Sequence, residues 1–190
     1  MVRSPGCIPA RSERCSLLRG PRRFRSLTLG VVLGAFALSW AGSQTVAGPN
    51  KADRIVITKS TRSLTLLNGS QVLRTYKVAL GGDPVGPKVR VGDKKTPEGE
   101  YVIDSKNARS RFHLALHISY PNANDRERAR RLGVRPGGNV EIHGLDPKYS
   151  WVGPLHREVN WTAGCIAVTD PEIEEIWSLV PVGTPVEIRP

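Results

Sequence analysis

The sequence predicts a mainly β (α+β) domain with one or two packed helices, and three features support this prediction. Short runs rich in β-branched and apolar residues recur along residues 54–190, Asn68-Gly69 marks a tight turn, and helical periodicity is confined to two segments. The chain has 190 residues, of which 24% are charged and 39% hydrophobic, a globular composition. Residues 48–53 are a short polar linker before a domain large enough to form one core.

Strand character in this domain follows from residue type. Runs of valine, isoleucine, threonine and leucine bounded by turn residues are typical of strands, whereas three prolines between Gly81 and Gly99 exclude regular structure there. The expected strands span residues 54–58, 63–67, 72–80, 101–104, 112–118, 140–143, 166–168 and 186–189.

Two helices are expected, over residues 124–132 and 170–180. The first is highly charged, so we expect it to be exposed. In the second, Asp170 can cap the N-terminus and Pro171 suits the first turn. The apolar stripe of the second helix consists of Ile173, Ile176, Trp177 and Val180.

Residues 1–47 have the organisation of a signal peptide. A basic region over residues 1–26 precedes the apolar run 27–41, which is short for a membrane span of roughly 20 residues. Thr45-Val46-Ala47 offers a cleavage site after Ala47, and Ser39-Trp40-Ala41 offers a second one. We therefore expect export to the periplasm or cell envelope, with a membrane tether as the alternative if the signal stays uncleaved.

The positive charge of the chain is concentrated at its N-terminus. Residues 1–26 carry +6 of the net charge of +11, which leaves +5 spread over residues 27–190. No motif of interleaved basic and aromatic residues accompanies this excess, so the sequence argues against a nucleic-acid partner. A moderate positive charge suits a polyanionic surface such as a cell wall or a membrane face.

Cys165 carries the functional hypothesis. Cys7 and Cys15 precede the predicted cleavage site, so the mature protein keeps one thiol in a compartment where disulfides form. A lone thiol is either a small buried hydrophobe or a reactive group. His143 ends an expected strand, and its imidazole could activate the thiol while the carbonyl of Gly144 orients the other ring nitrogen.

These residues resemble the catalytic domain of the YkuD-type L,D-transpeptidases. His143-Gly144 is followed about twenty residues later by residues 162–166 (TAGCI), similar to the family's His-Gly and [Ser/Thr]-x-Gly-Cys-Ile signatures. Residues 94–101 (KKTPEGEY) resemble its K-T-P-x-G-x-Y/F segment, and residues 78–81 (VALG) the strand end before it. The resemblance covers roughly residues 54–190 and implies one YkuD-like β-sandwich or open-barrel domain.

The resemblance implies a cysteine acyltransferase that acts on the tetrapeptide stems of peptidoglycan. Cys165 matches the nucleophile that forms a thioester with release of D-Ala, and His143 matches the general acid/base. The main-chain N–H groups of Gly164 and Cys165 lie where the resemblance implies an oxyanion hole. The acyl group would pass to an amine, giving a 3→3 crosslink or attachment to a protein. The resemblance implies no metal and no organic cofactor, and we expect a monomer.

Two departures keep alternatives open. Many family members have histidine where this chain has Ala163, and arginine or asparagine where it has Ala167. The variant resembles the YafK-like branch of the family, for which hydrolysis, as an amidase or carboxypeptidase, is a second possible role. A wall-binding module without catalysis is a further alternative.

Other candidate residues surround these signatures. Expected substrate contacts are His117, Trp161, Thr162 and Ala163, with Trp151 as a second aromatic candidate. Arg109, Arg111 and Arg126 could meet substrate carboxylates or be solvated charges. His113 and His156 are expected at the surface or in structural roles. A zinc hydrolase using His113, His117, His143 and Cys165 is a third functional class, although no paired acid or helical His-x-x-x-His pattern accompanies them.

Overall fold

The predicted mainly β fold with packed helices is confirmed. A computed structural model describes residues 51–190, so the signal peptide predicted over residues 1–47 lies outside the described residues. Within residues 51–190, no helix has both the length and the apolar character that crossing a membrane requires. The strands are β1 (Arg54–Thr58), β2 (Ser63–Asn68), β3 (Gln71–Lys77), β4 (Gly99–Ser110), β5 (His113–Ile118), β6 (Val140–His143), β7 (Ile166–Ala167) and β8 (Pro185–Arg189). The helices are α1 (Ala123–Arg131), α2 (Asp170–Leu179) and a 3₁₀ segment (Ser150–Glu158).

The eight strands belong to one sheet with the order β3-β2-β1-β8-β4-β5-β6-β7. Strand β4 joins the two parts of this sheet, because residues 99–102 pair with β8 and residues 103–110 pair with β5. Register shifts after Ile103 and after Asn107 interrupt the ladder with β5. Irregularities of this kind bend a strand and increase its twist, so the sheet curls rather than lying flat.

Strand β3 ends earlier than the sequence predicts. The expected strand over residues 72–80 leaves its partner β2 after Lys77. The following residues instead form single bridges, Ala79 with Ala167 and Gly81 with Thr162. The sequence predicts no helix where the 3₁₀ segment lies. Gly153 within this segment has non-helical angles, φ +52° and ψ −135°.

Helix α2 is capped one residue earlier than predicted. Thr169 is the N-cap, and its N–H and hydroxyl both donate to the carboxylate of Glu172, at 2.9 and 2.7 Å. Asp170 instead accepts the N–H of Leu145 at 2.7 Å, so its side chain holds the chain that leaves β6. Pro171 lies in the first turn as predicted.

One hydrophobic core is shared by the sheet and α2. The predicted stripe on α2 is confirmed: Ile173, Ile176 and Val180 are buried, and Trp177 packs partly buried beside them. Ile142 and Ile166, from β6 and β7, belong to the same core. Because side chains alternate along a strand, His143 and Ala167 face the opposite side of the sheet, where the candidate site lies.

Substitution of Asp125 tests how α1 is attached to the sheet. Its buried carboxylate accepts the N–H of Asn122, the N-cap of α1, at 3.1 Å and the hydroxyl of Tyr101 at 3.0 Å. D125A should lower the free energy of unfolding by about 2 kcal/mol in urea denaturation, because it removes the N3 carboxylate of the capping box and the hydrogen bond from Tyr101. E127A, on the exposed face of the same helix, should cost less than about 0.5 kcal/mol. Equal losses would contradict this account.

Candidate active site

Neighbouring strands carry His143 and Cys165. Strands β6 and β7 run parallel, with Ile142 opposite Ile166 and His143 opposite Ala167. Cys165 directly precedes β7, and side-chain alternation places the residue two positions before Ala167 on the same face as His143. The thiol is partly exposed, whereas the imidazole is buried. The two side chains are thus diagonal neighbours across two hydrogen-bonded strands.

A chain segment on the other edge fixes β7. The N–H and the carbonyl of Ala79 both bond to Ala167, each at 2.9 Å. Next to it, the N–H of Thr162 donates to the carbonyl of Leu80 at 3.1 Å. The two-residue strand is therefore held on both edges. This also fixes the position of the cysteine directly before it. Residues 78–81, singled out in the sequence as a strand end, provide this second edge.

Position 164 requires a glycine, both for its backbone conformation and for its close neighbours. Its φ is +135°, and a Cβ atom at this position would lie 2.5 Å from the carbonyl oxygen of Lys95. Lys95 belongs to the KKTPEGEY segment, whose Thr96 is fully buried and accepts the N–H of Gly81 at 3.0 Å. This segment therefore packs its main chain directly against the backbone that carries the cysteine.

Thr162 closes the turn before the cysteine. Its buried hydroxyl donates to the carbonyl of Cys165 at 2.8 Å and accepts the N–H of Gly164 at 3.1 Å. The sequence predicts a substrate contact for Thr162 and an oxyanion role for Gly164. In this structure the Thr162 hydroxyl and the Gly164 N–H are hydrogen-bonded to each other, and both roles stay predictions. The N–H of Cys165 is then the candidate donor to an oxyanion.

The ring of His143 is held on several sides. Its Nδ1 lies 2.7 Å from the carbonyl oxygen of Gly144. Because a carbonyl only accepts, Nδ1 carries the proton and Nε2 keeps its lone pair. Phe112 stacks on the ring with 4.4 Å between centroids, and Trp161 meets it edge-on at 6.0 Å. Burial lowers the pKa of His143 against the opposing effect of the Gly144 hydrogen bond, so the imidazole is neutral near pH 7.

Cys165 is a neutral thiol at rest. Burial raises the pKa of Cys165, while a hydrogen bond from the main chain of Glu141 lowers it; the Glu141 carboxylate raises it further and Lys88 lowers it. The Sγ atom lies 3.6 Å from the carbonyl oxygen of Asn139. Since the net shift is upward, the thiol needs a base at the moment of attack.

An apolar cavity of about 390 Å³ lies beside His143. Phe112 and Trp161, which contact the imidazole, also form walls of this cavity. His156 lines it as well; it is buried, and neither ring nitrogen has a hydrogen-bond partner among the described residues. The other lining residues are Arg111, Leu145, Asp146, Tyr149 and Val152.

Two further histidines from the sequence analysis are paired with carboxylates. Nδ1 of His117 lies 2.7 Å from Asp104, and Nε2 of His113 lies 2.8 Å from Glu174. His117 stands opposite Glu141 in the β5–β6 ladder. Across residues 51–190, no three or more His, Cys, Asp or Glu side chains are grouped to hold a metal ion. The geometry of these donors therefore does not support the zinc hydrolase alternative.

Several remaining candidates lie at the surface. Ala163, Arg109 and Arg126 are exposed, and Trp151 is 80% exposed with its Nε1 donating to the carbonyl of Lys148. Arg111 pairs with Asp146 at 3.0 Å at the edge of the cavity. Contact of these residues with a substrate stays a prediction.

Sequence reasoning missed several groups around the site. Phe112 and Glu141 lie beside the predicted pair, and Lys88 forms a buried ion pair with Asp93 near the cysteine. They lie outside the two signatures, and residue type alone does not reveal their burial. The neighbours of Lys88 in the sequence, Pro87 and Val89, do not distinguish it from a solvated lysine.

Gly164→Ala tests whether this backbone position admits a side chain. The new Cβ would clash with the Lys95 carbonyl at a φ that side chains rarely adopt, so we expect unfolding free energy to fall by about 2 kcal/mol or more. Thermal denaturation and the rate of iodoacetamide alkylation of Cys165 measure the effect. Gly183→Ala is the matched control, since φ there is +91° with open space around it. A G164A variant as stable and reactive as G183A would refute the steric argument.

His156 predicts a pH dependence of stability. The pKa of His156 is lowered to about 4, below the unfolded value of 6.5, and burial is the main cause. Between pH 4 and pH 6.5 the unfolded state therefore binds more protons than the folded state. The contribution of neutral His156 to the free energy of unfolding is complete above pH 6.5 and is lost as the pH falls toward 4. H156F should remove about 2 kcal/mol of the wild-type decrease in unfolding free energy between pH 7 and pH 5. Urea denaturation at both pH values tests this, and identical decreases would contradict it.

Comparisons with known proteins identify the family of this domain. The YkuD family model, described as the L,D-transpeptidase catalytic domain, matches residues 52–188. YafK of Escherichia coli (strain K12) is 33% identical over 112 residues, which are 58% of this chain and 38% of YafK. The match thus spans well under half the length of this curated relative.

Solved structures share the fold. Pgp2 from Campylobacter jejuni, described as a helical cell shape determining protein, has a TM-score of 0.56 at 23% identity, over 74% of this chain and 48% of Pgp2. Bd1075 from Bdellovibrio bacteriovorus has a TM-score of 0.52 at 23% identity, over 73% and 48%. At such identities the likeness shows the fold, whereas the family match covers most of the chain. The chain belongs to the YkuD family of L,D-transpeptidase catalytic domains.

Proposed function

We propose that the chain is a peptidoglycan L,D-transpeptidase with Cys165 as nucleophile and His143 as general acid/base. One observation carries the proposal: a partly exposed thiol lies diagonally across two paired strands from a buried imidazole whose Nδ1 is held by Gly144. Acyl transfer through a cysteine needs such a thiol and a base with an oriented ring. The proposed substrate is the tetrapeptide stem, with no cofactor.

In the acylation step, Nε2 of His143 takes the thiol proton as Sγ attacks the carbonyl carbon of the residue before the terminal D-Ala. The tetrahedral oxyanion is stabilised by the main-chain N–H of Cys165. The intermediate collapses when the C–N bond breaks and His143 returns the proton to the leaving nitrogen. D-Ala departs, and the acyl group remains on Cys165 as a thioester.

In the second step, an amine attacks the thioester carbonyl. His143 removes a proton from the attacking nitrogen, the C–S bond breaks, and the proton returns to the Cys165 sulfur. A stem-peptide amine would give a 3→3 crosslink, and an amine of a protein would give attachment. Water in place of the amine would give hydrolysis, the amidase or carboxypeptidase alternative. The apolar walls that Phe112 and Trp161 form beside the base support a pathway that limits access of water.

We propose that this reaction takes place in the periplasm or cell envelope. The basic and apolar segments of residues 1–47 support export, and the proposed substrate is found outside the cytoplasmic membrane. The +5 charge of residues 27–190 favours a polyanionic wall as the surrounding surface.

Substitution of the proposed pair tests this function. Purified protein is incubated with disaccharide tetrapeptide, and mass spectrometry follows the thioester on Cys165 together with dimer and tripeptide products. C165A should abolish both the adduct and the products. H143A should slow acylation by about 10²–10⁴-fold, the range in which positioned bases act.

H113A is the matched control for this experiment. His113 lies at the start of β5, and its ring pairs with Glu174 on α2, so its loss should change acylation by less than about threefold. Full activity of C165A or H143A would refute the assignment. Accumulation of tripeptide without dimer would replace transpeptidation by hydrolysis, and an adduct-free, inert Cys165 would favour the wall-binding module.

A further inference from the structure

Lys88 and Asp93 form a buried ion pair near the candidate nucleophile. The Lys88 ammonium donates to Asp93 Oδ1 at 2.7 Å, and the two side chains are only 5% and 7% exposed. A second hydrogen bond runs from the ammonium to the carbonyl of Arg90 at 3.3 Å. Lysine and aspartate are rarely buried unless they are paired, so the fold holds this charge at a fixed place.

The carboxylate partner is ionised at neutral pH. Burial acts to raise the pKa of Asp93, but hydrogen bonds from Lys88 and from the main-chain N–H groups of Arg90, Val89 and Lys95 lower it to about 2. Because Asp93 keeps three main-chain donors, it does not depend on Lys88 alone for hydrogen bonds. The lysine is therefore not needed merely to satisfy the aspartate.

The position of the ammonium points to the cysteine. Lys88 Nζ lies 3.6 Å from the place that a Cβ of Gly164 would occupy, directly before Cys165 in the chain. Its Cε lies 3.6 Å from the corresponding point at Gly137, in the loop before β6. The Lys88 side chain thus passes within contact distance of the Gly137 and Gly164 positions. Its charge ends behind the backbone where the thiolate and the oxyanion would form.

Three groups besides Lys88 face this thiol. Glu141 and His143 come from β6, and Asn139 contributes its carbonyl oxygen from the preceding loop. Neither Glu141 nor Asn139 favours a thiolate through charge, and the imidazole is neutral at rest. Lys88 is accordingly the fixed positive charge among the described groups that bear on the cysteine.

We propose that Lys88 is an electrostatic positioning residue for the proposed reaction: its buried ammonium, held by Asp93 behind Gly164, stabilises the negative charge that develops at Cys165. It acts through the Gly164–Cys165 main chain and does not touch the substrate. The inference rests on the proposed function of Cys165, and it adds a residue outside both sequence signatures.

The test is the pH profile of Cys165 alkylation by iodoacetamide, measured without any peptidoglycan substrate. K88M removes the cation and leaves the Asp93 carboxylate, so the profile should move to higher pH and the rate at pH 7 should fall about five- to tenfold. The limiting rate at high pH should stay within about twofold, because the thiolate itself is unchanged. K88R keeps the charge and should retain the wild-type profile.

D93N separates electrostatics from packing. It breaks the same ion pair as K88M but removes the negative charge, so its profile should stay in place or move to lower pH. A purely structural role for the pair predicts that K88M and D93N shift the profile in the same direction. That result, or an unshifted K88M profile, would overturn the proposal. If K88M does not fold, as judged by circular dichroism, a D93N profile moved to higher pH would overturn it equally.

Failure of this inference is distinguishable from failure of the proposed function. A wild-type thiol that forms no acyl adduct with tetrapeptide would refute the role of Cys165 whatever the alkylation profiles show. Wild-type acylation together with a K88M profile equal to that of the wild type would refute Lys88 alone.

Discussion

The candidate site depends on the pairing of a two-residue strand on both of its edges. Strand β7 is bound to β6 in parallel register on one side and to Ala79 on the other. So short a strand has little cooperativity of its own, and its position comes from these two neighbours. A residue directly next to this strand therefore also has a fixed position. This is what carries Cys165 to the face on which His143 lies.

The charge states of His143 and Cys165 follow from the burial of their side chains. His143 and Cys165 are both neutral at rest, because burial disfavours the charged form of each. A preformed pair of thiolate and imidazolium is therefore not the resting state. The Gly144 carbonyl selects the tautomer, and the aromatic walls Phe112 and Trp161 hold the ring. The buried Lys88 ammonium, held by Asp93, adds a fixed positive charge behind the backbone.

The sequence signatures divide into chemical and supporting parts once the fold is known. Thr162 and Gly164 precede the cysteine, yet their hydrogen bonds and close contacts are made within the turn and to Lys95. Thr96 of the KKTPEGEY segment likewise holds Gly81 rather than reaching solvent. Much of what is recognisable in the sequence therefore specifies backbone placement. Only some of the signature residues remain available to contact a ligand.

The sequence by itself determined the mainly β class, the helix over residues 170–180 and the residue types of the candidate pair, because strand propensity, helix periodicity and a lone thiol are local properties. It could not determine that residues 78–81 leave β3 to bind β7, or that Thr169 rather than Asp170 caps α2. Those outcomes depend on which distant groups compete for the same hydrogen bonds. Only the tertiary structure decided that Lys88 is buried, since its partners are brought near Gly164 by packing.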